Sequence, residues 1–529
     1  SGLANFTANL GAGTFRVGDT NTGTELNPST FRLATNNTVT AASFRVGDGA
    51  GGSSTHVLTL GSGTNQINAD TFNVGSAGAG LRSGGSVLFD AADTTGTLRV
   101  RDSAGTGRAT LNVINTSGST AGDMVSTLDL SGHAADLLLG TLTMAARSQN
   151  TGNATATLSF DHGTLDVTSV VLASRTGAGS GSANATLNLG DAAASGTPAV
   201  TIGSLTMAVH TSTGTPVETV TATLNVTGGS ATIGTGSGTA VNMANAAAGR
   251  AATSSINVTG GTLEVRGDVV RTGGAGTESA TLALNGGVLD LNGFAVGDAT
   301  NGITFDAQAG TLRDVGTLNG AGGLTKSGAG TLTLEGAAAY AGTTTVTGGT
   351  LVLAGTSLAS TAATISGGTN STLRFTSVAA MGSLATLNAA SGATTPVFQF
   401  ALDGGGTFDL PVSFIGNSTI TSTIHVSNNG SGTDGVVRLT GNGGTGYGNA
   451  TLNVTGADGY SLYVANLVNS AGALGTMTFN PTTAALELGN LTVGRNTGTG
   501  TFVLGGTHAG SKVSGVISDG SGASLGGLS

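Results

Sequence analysis

Runs of four or five residues in which apolar and hydroxyl side chains alternate, each closed by glycine, recur along the 529-residue chain and leave it few folds to choose from. The clearest stretch lies between Asn319 and Gly355, where Thr331 to Leu334, Thr343 to Val346 and Thr350 to Leu353 are three such runs. Alternation at period two predicts strands, with Leu332, Leu334, Val346, Leu351 and Leu353 on one face and the threonines on the other. No run is long enough to form a sheet alone. Strands this short become stable when the chain winds into a solenoid, each coil pairing in parallel with the next and burying its inward residues in a shared column. The expected fold is therefore all-β, a parallel β-helix. With about 25 to 30 residues per coil and a rise of about 4.8 Å, the chain would make roughly 18 to 21 coils.

The same stretch carries, in order, Leu324-Thr325-Lys326, Gly328-Ala329-Gly330-Thr331-Leu332-Thr333-Leu334, Tyr340, Gly342-Thr343-Thr344-Thr345-Val346 and Gly349-Thr350-Leu351. In these residues it resembles a known family, the autotransporter-associated β-strand repeat found in secreted passengers of bacterial surface proteins. It departs at Ala337 to Ala339, where the family more often carries a polar turn with Asn. The resemblance implies that the β-helix is right-handed, that the protein is extracellular, and that it crosses the outer membrane. It covers one repeat closely. Ser514 to Asp519 resembles the lead-in to a further repeat, so the pattern is expected to be cut at Ser529.

Length exceeds an ordinary single domain, but a solenoid lengthens freely because each coil contacts only its neighbours. One continuous β-helix over residues 1–529 is expected, in five sub-regions. Residues 1–110 carry phrases of the type Phe-Arg-Val-Gly-Asp, 111–310 phrases of the type Thr-Leu-Asn-Val-x-Gly-Gly, and 311–356 the family-like repeat. Residues 357–490 are irregular, and 491–529 restore the pattern. In the first, Phe15, Phe44 and Phe72 are spaced by 29 and 28 residues, one coil each, so their rings should stack in an inward column. In the second, Gly228-Gly229, Gly260-Gly261 and Gly286-Gly287 fit corners that need positive φ. Ala173 to Ala183 and His210 to Val220 read as insertions that lengthen single coils. Asn225, Asn257 and Asn453 recur before Val-Thr, where stacked amides can bond along a ladder, although each also opens a glycosylation sequon. Phe398, Phe400, Phe408 and Phe414, around Pro396 and Pro411, mark longer strands or a distorted coil.

Charged residues make up only 9%, so Thr, Ser, Asn and Gly must coat most of the surface. A formal net charge of -10 argues against nucleic acid or anionic lipid as partner, since both need a basic face. No cysteine is present, so disulfides and thiolate metal sites play no part. No apolar span is long enough for a transmembrane helix, and Ser1 to Phe6 lacks the pattern of a signal peptide.

Chemistry is sparse. His56, His133, His162, His210, His425 and His508 lack metal-ligand spacing, and Asp161-His162 reads as a turn. No serine-nucleophile elbow occurs, and the glycine-rich runs Gly47 to Gly52 and Gly441 to Gly446 open no helix. Neither lysine, Lys326 or Lys512, stands in a phosphate loop. No cofactor, metal or catalytic residue is expected. Asp90, Asp93, Asp129, Asp136, Asp161 and Asp166 could serve a β-helix hydrolase or lyase only if their registers aligned across coils. Arg266-Gly267-Asp268 matches an adhesion tripeptide but falls inside or at the corner of strands, whereas ligands of that class sit on loop tips. The leading expectation is a non-catalytic structural component of an extracellular filament or cell-surface coat. An adhesin for a host, matrix or glycan ligand and a carbohydrate-active enzyme are the alternatives. Ser1 to Leu10 and Ser521 to Ser529 carry no charge, so neither end supplies a protected edge. End-to-end self-association or continuation into a longer chain is expected from that.

Overall fold

A computed structural model describes residues 3–18, 28–47, 54–78, 83–117, 122–148, 152–178, 180–191, 197–213, 218–390, 393–410, 420–441, 443–444, 449–468, 476–492, 494–495, 501–518, 524–525 and 527–528. The chain folds as the expected right-handed parallel β-helix, nearly all strand. A single short 3-10 turn, Ala379–Met381, is the helical content among the described residues. Two compact units are distinguished, residues 1–304 and 305–529.

In the first unit the strands stack on three faces. The first face runs from Asn5–Asn9 through residues 36–41, 64–69, 97–101, 134–139, 162–167, 199–202, 230–233 and 262–265 to 288–290, every neighbour parallel. The second runs from Thr14–Val17 through 43–46, 71–74, 110–113, 141–144, 169–172, 204–207 and 241–243 to 269–271. The third takes Thr55–Thr59, Gly84–Leu88, Met124–Asp129, Ala154–Phe160, Ala183–Leu189, Thr219–Val226 and Ala251–Val258, and ends on 277–284.

Period-two alternation decides what each strand buries. In Ala154–Phe160 the residues Ala156, Leu158 and Phe160 are inward and at most 2% exposed, while Thr155, Thr157 and Ser159 face out. Burying one Leu or Val side chain contributes about 1.5–3 kcal/mol, and in-register pairing repeats that gain in every coil. The phenylalanine column forms as expected. Phe15 pairs with Phe44 and Phe44 with Phe72, at centroid distances of 4.7 and 5.2 Å. The glycine corners also stack: Gly229, Gly261 and Gly287 have φ of 68°, 62° and 63°. A Cβ on Gly261 would lie 2.5 Å from the Gly228 carbonyl carbon, so coil corners touch backbone to backbone.

In the second unit, one parallel stack joins Thr331–Ala338, Thr350–Leu358, Thr372–Phe375, Val397–Ala401, Thr421–Ser427, Ala450–Gly456, Thr476–Pro481 and Thr501–Leu504. Thr325–Lys326, Thr344–Val346, Ala362–Ile365 and Thr386–Ala389 form a second face beside it. A further sheet takes Gly405–Phe408, Val436–Leu439, Ser461–Val468 and Leu486–Thr492. Leu332, Leu334, Val346, Leu351 and Leu353 are each 0% exposed, on the single inner side that their alternation predicts. Ala337 and Ala338 extend the strand Thr331–Ala338 and do not form the turn marked by the departure from the family pattern. Phe375, Phe400 and Phe408 cluster inside, with centroids 4.9 to 5.7 Å apart. Pro411 and Phe414 lie outside the described residues, as do Asp19, Asp48 to Gly52, Asn442, Thr445 and Gly446.

Candidate functional site

A polar groove of the first unit forms where its second face ends. There the strand bends at a residue with positive φ, at Ile114, Ala145, Ala173, Ala208 and Ala244, with φ of 64°, 50°, 57°, 52° and 45°. All five are 0% exposed. Left-handed backbone costs an L-residue roughly 1–2 kcal/mol, so the surrounding coils must hold the bend, and alanine is the smallest side chain that still fills the spot. Bending brings two outward columns together. Thr71, Asn73 and Asn112 precede the corner, while Asn115, Ala146 and Ser174 follow it. With Arg45, Ser117, Ser148 and Thr176 they line a groove of about 490 Å³. Its amides are chained: Asn112 Nδ2 donates to Asn73 Oδ1 at 2.8 Å, and Asn115 Nδ2 to Asn112 Oδ1 at 3.0 Å.

Behind the groove wall the inward column changes character. Thr116, Arg147, Arg175, His210 and Ala246 stand in register on successive coils, each at most 3% exposed. The polar ends of Arg147, Arg175 and His210 face backbone carbonyls. Arg147 Nη1 donates to Gly122 O at 2.8 Å, and Arg175 Nη2 to Ser180 O at 2.6 Å. His210 places Nδ1 2.9 Å from Ala251 O and Nε2 3.0 Å from Ser212 Oγ, and Arg250 Nε donates to Ser212 O at 2.9 Å. Burial, and then the Arg147 charge, pull Arg175 down to about 10 against the attraction of Glu218. His210 is held below its ordinary value, first by burial and then by Arg250 and Arg175, with its bond to Ala251 opposing. Sequence reasoning missed this column. Its signal was Met144-Ala145-Ala146-Arg147, Leu172-Ala173-Ser174-Arg175 and Met207-Ala208-Val209-His210, one apolar-Ala-x-base phrase per coil. The segments read as insertions, Ala173 to Ala183 and His210 to Val220, begin with strand: the strands end at Arg175 and His210 because the chain continues pairing past the bend. Residues 179 and 214–217 within them lie outside the described residues.

Of the carboxylates singled out from sequence, Asp90, Asp93 and Asp129 line one hollow of about 370 Å³ with His133, yet each of the six is taken up by a hydrogen-bond partner of its own. Arg108 grips Asp166 with two bonds of 3.0 and 2.9 Å, Arg101 donates to Asp136 at 2.5 Å, and Arg32 pairs with Asp90. Asp161 accepts from Gly132 N at 2.8 Å and lies 2.8 Å from His162 Nδ1, fixing a corner. Asp93 Oδ1 accepts from Thr95 N, and Asp129 Oδ1 from Ser131 N. Among the described residues no group of three or more His, Asp or Glu could hold a metal ion.

Arg266, Gly267 and Asp268 form the corner between Thr262–Val265 and Asp268–Arg271. Arg266 Nε donates to Glu264 at 2.8 Å, and Asp268 Oδ1 accepts from Ala295 N at 3.0 Å. Both charged ends of the tripeptide are thus engaged by the fold that carries them.

The amide ladder is present. Asn225 Nδ2 donates to Asn188 at 2.8 Å, Asn257 to Asn225 at 2.9 Å, and Asn480 to Asn453 at 2.8 Å. In the second unit Lys326 is 0% exposed, and its ammonium donates to Ser327 O at 2.5 Å, Gly328 O at 3.0 Å and Gly348 O at 2.9 Å. It therefore ties two successive turns together, and burial lowers its pKa. Tyr340, also buried, bonds Thr344 Oγ1 at 2.8 Å.

Residues 324–353 match the family described as the passenger-associated-transport-repeat, so the chain carries an autotransporter passenger repeat. No curated protein and no solved structure matches the chain. Among the described residues no helix is long and apolar enough to cross a membrane.

Proposed function

We propose that this chain is a structural segment of a secreted or surface-exposed passenger, acting by its length, its repetition and a bland hydroxyl-rich exterior. The observation that carries the reading is the passenger repeat at 324–353, whose Lys326, Tyr340 and leucines perform purely architectural tasks inside a parallel β-helix. Such a protein builds a filament or coat and performs no catalysis. Immunogold labelling and protease shaving of intact cells test it: label and cleavage at the outer surface are expected. Protein confined to the cell interior overturns the proposal. Incubation with acidic polysaccharides is the second arm, and release of reducing or unsaturated ends would move the reading to an enzyme.

A second reading, adhesion to a glycan or matrix polymer, draws support from the groove at the bend. Asn73, Asn112, Asn115 and Ser148 present amides and hydroxyls, with Arg45 beside them, in a trough suited to sugar hydroxyls. Glycan binding that is lost in Asn112→Ala and kept in Thr201→Ala on another face would favour it.

A further inference from the structure

The third face of the first unit carries a feature that the surface-coat reading leaves unused. Between Ala154–Phe160 and residues 277–284 the outward side chains form straight rows, because five strands pair in register without a shift. The middle row is Thr157, Thr186, Thr223, Ser255 and Thr281, all half-buried and pointing out. Two residues away along each strand runs a second row, Thr155, Asn184, Thr221, Thr253 and Ser279. Beneath lie Ala156, Ala185, Ala222, Ser254 and Ala280, each at most 4% exposed, which keep the sheet evenly supported by small residues. None of the outward side chains on these five strand segments is charged, whereas the first face of the same coils carries Asp136, Asp166, Glu264 and Asp290.

The hydroxyls of the two rows differ from the amides beside them in one respect. Asn188, Asn225 and Asn257 bond to each other along the ladder, but among the described residues the hydroxyls of Thr157, Thr186, Thr223 and Thr281 make no hydrogen bond within the protein. With Thr155, Thr221, Thr253 and Ser279 of the second row, where among the described residues only Asn184 is engaged, by Ser182 Oγ at 3.2 Å, they offer a rectangular grid of donors and acceptors, about 4.8 Å apart across strands and about 6.7 Å along them. Threonine is β-branched and stiff about χ1, so the grid loses little side-chain freedom on meeting a partner. Those spacings are close to the repeats of the oxygen rows on a prism face of ice. An aromatic platform for sugar rings is missing from the face, and without charge there is nothing to orient water against a lattice. We propose that this face binds ordered water as a lattice, making it an ice-binding surface of about 20 Å by 7 Å.

Inhibition of ice recrystallisation, together with shaping of single ice crystals, is the measurement, made on the chain as it stands. The wild-type chain is expected to halt recrystallisation. Thr223→Lys, in the centre of the grid, should raise the concentration required about tenfold, since it blocks several points of a multivalent contact at once. Thr201→Lys, exposed on the first face, should leave it unchanged. Should Thr223→Lys disturb the fold by circular dichroism, Thr223→Val keeps the shape, removes only the hydroxyl, and should still weaken the activity. An inactive wild-type chain overturns the proposal, as does equal loss in Thr201→Lys or full activity in both Thr223 variants. Retention on insoluble cellulose or chitin, lost in Thr223→Lys without any effect on ice, would assign the face to a polymer and overturn it too.

Discussion

Both units place a cation where a β-helix normally keeps leucine, and they do so differently. In the second unit Lys326 stands alone, with three carbonyls from two turns around its ammonium. In the first, Arg147 and Arg175 stack directly over one another in register, each reaching a loop carbonyl of its own, Gly122 for one and Ser180 for the other. The lysine is a point charge saturated by its three acceptors. The arginines share a column in which each raises the cost of the other's charge, which is why Arg147 helps to depress Arg175. Buried charge is tolerated in both cases because it replaces missing backbone donors at the turns. A lone ammonium does this with less opposing repulsion than a like-charged stack.

If that contrast holds, Lys326→Met should be the most damaging change, leaving three turn carbonyls without their donor. A loss of about 3 kcal/mol is expected, read as lost hydrogen-exchange protection over residues 324–350. Arg175→Met should cost less, about 1–2 kcal/mol, because removing the charge also relieves Arg147. A loss equal to that of Lys326→Met in the same exchange experiment would erase the distinction. Replacing Tyr340 by Phe tests the neutral partner in the second unit: Thr344 Oγ1 would lose its bond at a cost of about 1 kcal/mol, seen in denaturant melts. The smallest effect is with pH. His210 is held below its ordinary 6.5, so the folded state binds its proton less readily than the unfolded state does. The first unit should therefore lose stability as pH falls from about 6.5 through the folded value and flatten below it, since the unfolded chain takes up the proton first. His210→Gln should abolish that slope locally, and the slope at His425, which burial also lowers, should persist.

How much of this could be read beforehand depended on whether a column announced itself by residue type. Phe15, Phe44 and Phe72 did, because aromatics one coil apart have no better place to go than the shared interior. Asn225 and Asn257 did as well, being polar at a fixed distance before Val-Thr. Arg147 and Arg175 did not: arginine is usually exposed, and the two looked like thin surface charge until the bends at Ala145 and Ala173 turned them inward. Alternation counts residues along a strand and assumes extended backbone, so a single left-handed residue inverts the side that every later position faces. Lys326 was noticed as part of a motif, but nothing in the motif said that its ammonium would close two turns. The hydroxyl grid was written in the sequence only as composition, because which threonines align depends on register across coils of unequal length.

The direction of the pairing has a mechanical consequence. Within either unit the strands lie across the axis along which the coils stack, so the hydrogen bonds that join one coil to the next point along that axis. A pull in that direction does not shear many bonds together; it opens those of the outermost coil first and loads the next only after that coil has come away. Each release frees one coil, for example the 29 residues from Phe15 to Phe44, which at about 3.4 Å per residue adds about 100 Å of slack. Under tension the protein should therefore yield one coil at a time, in steps set by the length of each coil, as a shock absorber does, and tighten again coil by coil when the load is removed.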